Sequence, residues 1–175
     1  MVRYADDFVA LCQTAGEARA GLAAVQAWVQ ANALILNPDK TQERDCREKG
    51  QGFDFLGYHF EAGQRWVRRK SLKAIRDRIR TRTGRTRGDR LRSIVADLNP
   101  MPQGWYGYFK HAHPWTFDGM DGFVRRRLRT LLRKQQKRPG AGHTLADHHR
   151  WPIAFFADMG LFTMTEAHAQ ASRPR

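Results

Sequence analysis

Cysteine is nearly missing from this 175-residue sequence: Cys12 and Cys46 are the only two, and they form no CxxC pair. That argues against a disulfide scaffold or a zinc knuckle, and nothing requires an oxidising compartment. Long apolar runs are missing as well. Ala20 to Pro38 is uncharged, but Gln26, Gln30 and Asn32 interrupt it and its apolar residues keep a helical period, so no membrane span is expected. No secretory signal opens the sequence, which makes a cytoplasmic location the expectation. Acids are few, 17 Asp+Glu against 31 Lys+Arg, for a net charge of +14. Among the cations lysine is the scarce one, since 24 of the 31 are arginine, whose planar fork bonds phosphate bidentately. What is present, 41% apolar and 11% aromatic residues, is enough for a core in one domain or two small ones.

The cations are unevenly placed. Residues 1–64 carry 6 cations and 9 acids, residues 65–138 carry 22 cations and 5 acids, and residues 139–175 carry 3 of each. A net of +17 confined to the middle block points to a nucleic acid rather than to a mixed solvated surface. A basic patch also suits an anionic membrane, but the interleaved aromatics are better explained by RNA or by core packing.

Periodicity divides the chain in the same way. Val2 to Tyr4 and Phe8 to Cys12 read as the arms of a hairpin around Ala5, Asp6 and Asp7. Thr14 and Glu17 form a capping box before a helix from about Ala15 to Asn32. Leu34 to Leu36 reads as a short strand ended by Asn37-Pro38, and Phe53 to Phe60 as an aromatic strand interrupted at Gly57, with a second arm at Arg65 to Val67. From Lys70 on, every apolar pattern is helical: Leu72, Ile75 and Ile79; Leu91, Ile94, Val95 and Leu98; Met120, Val124, Leu128 and Leu131. The expected organisation is three segments, 1–64, 65–138 and 139–175.

Tyr4-Ala5-Asp6-Asp7 sets two carboxylates side by side at a strand reversal, where a divalent cation would relieve their repulsion; a solvated Asp-Asp turn is the plain alternative. Leu36-Asn37-Pro38-Asp39-Lys40-Thr41 and Phe55-Leu56-Gly57-Tyr58 follow. Beyond them come Leu98-Asn99-Pro100, Gly104-Trp105, Tyr108-Phe109, Phe123-Val124-Arg125-Arg126-Arg127-Leu128-Arg129, Trp151-Pro152, Phe155-Phe156 and Gly160-Leu161. In this order and spacing the sequence resembles the C-terminal part of group II intron reverse transcriptase/maturases over nearly its whole length.

The resemblance implies an α+β chain: a partial reverse-transcriptase palm of short antiparallel strands plus a helix, then a mostly helical thumb/maturase domain. It implies Asp6 and Asp7 as catalytic metal ligands, Lys40 as the residue that protonates pyrophosphate or steadies the nucleotide, and residues 55–58 as a primer-grip hairpin. It also implies Mg2+ as cofactor, if the polymerase site is completed. The family holds its metals with three carboxylates, however, and the third lies well upstream of the tetrapeptide. The expectation is therefore an N-terminally truncated member that binds structured intron RNA to support splicing. The alternative is an RNA-directed DNA polymerase, acting on RNA or an RNA/DNA hybrid, that works only when a complementing fingers/palm chain is supplied.

For RNA the expected contacts are Arg68, Arg69, Lys70, Lys73, Arg76, Arg80, Arg125, Arg126, Arg127, Arg129 and Lys134. Four cations within Arg125 to Arg129 cannot all find acids in a region with so few. Trp105, Tyr108 and Phe109 are read first as core and second as a base-stacking surface. His143, His148 and His149 fit no common tetrahedral ligand spacing and are assigned no role.

Overall fold

Strand-forming sequence gives way to helix-forming sequence near residue 68, and the computed structural model, which describes residues 1–173, turns at the same place. The fold is α+β, about 52% helical with two small antiparallel sheets. The chain divides into two units, Met1–Gln64 and the residues from Arg65 on. No helix among the described residues is long and apolar enough to cross a membrane.

In the first unit, β1 (Val2–Tyr4) and β2 (Asp7–Val9) form a hairpin in which Tyr4 faces Asp7 and Val2 faces Val9. The second arm starts at Asp7, one residue earlier than the apolar pattern suggests, leaving Ala5 and Asp6 as the turn. Ala5 has φ 51°, a left-handed conformation costly for a residue with a Cβ, and its carbonyl accepts from Arg3 Nε at 2.8 Å. The helix α1 (Ala15–Ala31) begins where the capping box puts it: Thr14 Oγ1 accepts from Glu17 N at 3.2 Å. Glu17 reaches back one residue further than the usual box, to Gln13 N at 2.9 Å.

The strand expected at Leu34 to Leu36 does not form. Leu34 and Ile35 are 55% and 95% exposed with no strand pairing them, and an extended segment without a ladder has nothing to hold it. The aromatic run 53–60 is two strands, β3 (Phe53–Phe55) and β4 (Tyr58–Glu61), because Leu56 (φ 48°) and Gly57 (φ 81°) make a two-residue reversal that matches the twist of a hairpin. Phe53 lies opposite Phe60, rings stacked at 5.1 Å.

The second unit takes over at β5 (Gln64–Val67), which spans the division, and holds the core. Ile75 and Ile79 of α2 (Arg69–Arg82) meet Ile94, Val95 and Leu98 of α3 (Leu91–Leu98) and the stripe Phe117, Met120, Val124, Leu128 and Leu131 of α5 (Trp115–Gln135), all buried. Asn99 ends α3 and Pro100, at the first helical position, opens α4 (Pro100–Phe109). Asn99 also clamps a distant loop, donating from Nδ2 to the Gly160 carbonyl at 2.7 Å and accepting from Phe162 N at 2.9 Å. Buried Asp121 caps α8 (Met164–Ala171) from outside, accepting from Met164 N at 3.0 Å and from Thr165 N at 2.9 Å. Between them, α6 (Leu145–Arg150) and α7 (Ile153–Asp158) add Trp151 and Phe156 to the core, so this stretch packs within the second unit. At Gly142 (φ 69°) the connector passes so close to α5 that a Cβ would stand 2.5 Å from Thr130 N.

Candidate nucleic-acid interface

Two sets of residues carry candidate chemistry, one in each unit. In the first unit Asp6 sits in the β1–β2 turn and Asp7 opens β2, both exposed. Lys40 lies on a turn organised by Asn37, whose carbonyl accepts from Lys40 N at 3.2 Å and Thr41 N at 3.0 Å and whose Oδ1 accepts from Asp39 N at 3.0 Å. That Asn-Pro turn is what the sequence motif encodes locally. Among the described residues no hydrogen bond or ion pair engages the side chains of Asp6, Asp7 or Lys40. Among the described residues no three His, Cys, Asp or Glu side chains come together as a metal site. Two exposed carboxylates therefore do not by themselves fit the ion pair that nucleotidyl transfer uses.

In the second unit the cations fall into three kinds. Of the cations expected to contact RNA, the exposed ones are Arg69, Lys70, Lys73 and Arg80 on α2 and Arg126 and Lys134 on α5, with Arg68 just before α2. Lys73 and Arg80 share Asp77, at 2.7 and 2.5 Å, and those hydrogen bonds hold the Asp77 carboxyl below its ordinary range. Arg76 and Arg125 are half-buried. Arg127 is half-buried too and turned inward: Nε donates to Thr83 Oγ1 at 3.1 Å and Nη2 to the Thr83 carbonyl at 2.8 Å. Burial pushes its guanidinium below the usual value, and the nearby Arg80, Arg85 and Arg126 push the same way.

Arg129 corrects the sequence reading outright. It is 3% exposed, donates from Nε and Nη2 to the Trp151 carbonyl at 3.0 and 2.9 Å, and lies 5.4 Å over the Phe156 ring. Its partner is a backbone carbonyl, a possibility that counting acids overlooks, and it fastens the closing segment to α5 instead of facing RNA.

The structure brings Arg76, Arg80 and Arg126 together around Phe123, with their guanidinium carbons 5.8, 5.4 and 5.6 Å from its ring. With Gly119 and Gly122 they line a cleft of about 370 Å³. The sequence reading named the three arginines as RNA contacts but gave Phe123 and the glycines no such role. The signal was there: Gly119, Gly122 and Arg126 recur at i, i+3, i+7 on one helix face. Trp105 and Phe109 pack on one another at 4.9 Å with Phe109 buried, whereas Tyr108 is 56% exposed.

Comparison with known families gives two matches. The model described as group II intron, maturase-specific domain, matches residues 72–151, and the model described as reverse transcriptase (RNA-dependent DNA polymerase) matches residues 1–60. No curated protein matches the chain.

Proposed function

The chain belongs to the group II intron reverse transcriptase/maturase family, and on that premise we propose that its second unit binds structured group II intron RNA and supports splicing by holding that RNA in its active fold. One observation carries the reading: the 22 cations of residues 65–138 have almost no acid left to meet. Of the five acids, Asp77 is taken by Lys73 and Arg80, Asp89 by Arg87, and Asp97 by Arg82 and Arg87, while Asp121 is spent on the start of α8. Only Asp118 remains. Arg69, Lys70, Arg126 and Lys134 stay exposed with no acidic partner among the described residues, a field that attracts a polyanion and orders it against α2 and α5.

Asp6, Asp7 and Lys40 keep a different role in this proposal. Reverse transcriptases work with divalent metal ions, and Asp6 and Asp7 are the carboxylates this chain offers to Mg2+; a further carboxylate has to join them before Lys40 has a reaction to assist. RNA binding needs none of the three.

The test is a salt titration of affinity for a structured intron RNA. A binder making about 6 to 10 phosphate contacts loses ~10³ to 10⁵-fold between 50 and 200 mM salt on duplex DNA, and RNA follows the same trend. Replacing Lys70, Arg126 and Lys134 together by Gln flattens the slope while the melting temperature holds. A salt-independent affinity sinks the proposal.

A further inference from the structure

The cleft between α2 and α5 has features that a general basic surface does not need. Arg76 and Arg80 are one turn apart on α2, and Gly119, Gly122, Phe123 and Arg126 lie on successive turns of α5. Three guanidinium groups converge on one ring, and of the three only Arg80 has an ion pair, to Asp77, among the described residues. The Phe123 ring softens their mutual repulsion but does not neutralise it. Among the described residues Arg76 Nε is buried without a hydrogen-bond partner, and the Arg126 side chain donates to no acceptor. A buried cationic N–H without an acceptor is costly enough to call for one.

The glycines point the same way. Gly in a helix interior is unfavourable, and chain packing demands neither of these two: a Cβ on Gly119 or Gly122 meets nothing within 4 Å. The space their missing side chains leave is the cleft itself. Its chemistry suits an anion rather than a base. Phe123 is only 7% exposed, its faces covered by guanidinium groups, so no nucleobase stacks on it.

We propose that this cleft seats one phosphate of the RNA backbone, with Arg76 and Arg126 as donors and Gly119 and Gly122 admitting the sugar-phosphate chain up to α5. Arg80, held by Asp77, sets the cleft's charge and its wall. The inference rests on the RNA-binding reading above and adds a place and a geometry to it: the arginine fork matches two phosphate oxygens at once, which a lysine does not.

Filling the cleft without changing charge tests it. Gly122→Leu and Gly119→Leu replace the poorest helix formers after proline with a good one, so the fold gains rather than loses. RNA affinity should nonetheless fall roughly tenfold, the loss of one or two charge-assisted hydrogen bonds, and the salt slope should become shallower by about one. Arg76→Lys should lower affinity with the charge kept. Gly107→Leu on α4, where a Cβ also meets nothing within 4 Å, should leave binding unchanged. Wild-type affinity and slope in both filled variants would overturn the cleft while leaving RNA binding standing, whereas failure of the unaltered chain to bind RNA would overturn both. Inorganic phosphate at constant ionic strength separates the two phosphate sources. Unchanged RNA affinity supports a backbone phosphate, and displacement of RNA from the unaltered chain but not from Gly122→Leu would make the cleft a free-anion site.

Discussion

Arg126 and Arg129 stand three residues apart on α5 with identical chemistry, and the helix sorts them by what covers each face. Arg126 looks out beside Phe123; Arg129 lies under Trp151 and Phe156, its fork filled by one carbonyl 22 residues away. Their substitutions should therefore separate. Arg129→Gln leaves the Trp151 carbonyl with a poorer donor and removes a charged hydrogen bond, lowering stability by roughly 2–3 kcal/mol in urea melts, with RNA affinity of the folded fraction unchanged. Arg126→Gln should melt like the parent and bind RNA more weakly. If the two variants lose stability equally, the sorting of faces is wrong. The exposed half of this pattern was legible, since residues off the stripe Met120, Val124, Leu128 and Leu131 fall on the polar side. The buried half was not, because a backbone acceptor leaves no mark in composition, and Thr83 hides Arg127 in the same way.

Elements that close on themselves were the readable ones. The box at Thr14 and Glu17 starts α1, because its hydrogen bond closes within three residues, whereas the Leu56-Gly57 reversal inside the aromatic run 53–60 was marked only by the break at Gly57 and by the family resemblance, since its pairs reach from Phe55–Tyr58 out to Phe53–Phe60. Elements that depend on distant partners were not: Leu34 to Leu36 has strand composition but no ladder, and Asn99 shows only as a helix stop although it holds residues 160–162. The short helix α6 combines both kinds. Thr144 and Asp147 form a capping box, and buried Asp147 also takes the Arg133 guanidinium of α5. Burial alone would raise the Asp147 carboxyl, but hydrogen bonds from Thr144 and Arg133 outweigh it and hold the group below its ordinary range. A depressed folded value stabilises the fold fully above the unfolded carboxylate value near 4, and that contribution disappears as pH falls through the folded value. Thermal melts should thus show the second unit losing stability on acidification below about pH 4. Asp147→Asn should cost about 3 kcal/mol at neutral pH, through the uncompensated Arg133, and should flatten the acid limb. An unchanged acid limb in that variant would remove Asp147 as its cause.

Across the whole molecule, apolar burial is lopsided. Every fully buried hydrophobic side chain belongs to the second unit, from Val67 to Met164, whereas no residue of the first is buried and α1 leaves Trp28 61% exposed. Stability follows buried apolar area, so the two units should open at very different free energies. Hydrogen exchange followed by mass spectrometry reads this directly: amides around Leu128 to Leu131 should exchange only by global opening of the second unit, and those of α1 should exchange close to the rate of an unprotected helix. A chain lacking residues 1–64 should accordingly melt at the same temperature and keep its RNA affinity, since the first unit carries a net −3 while the block from 65 to 138 carries +17. Its salt slope should also be unchanged, because the proposed phosphate contacts lie on α2 and α5. Protection of α1 equal to that of α5, or a large fall in the melting temperature on deletion, would show that the first unit shares the core of the second, and RNA binding would then have to be assigned to the chain as a whole.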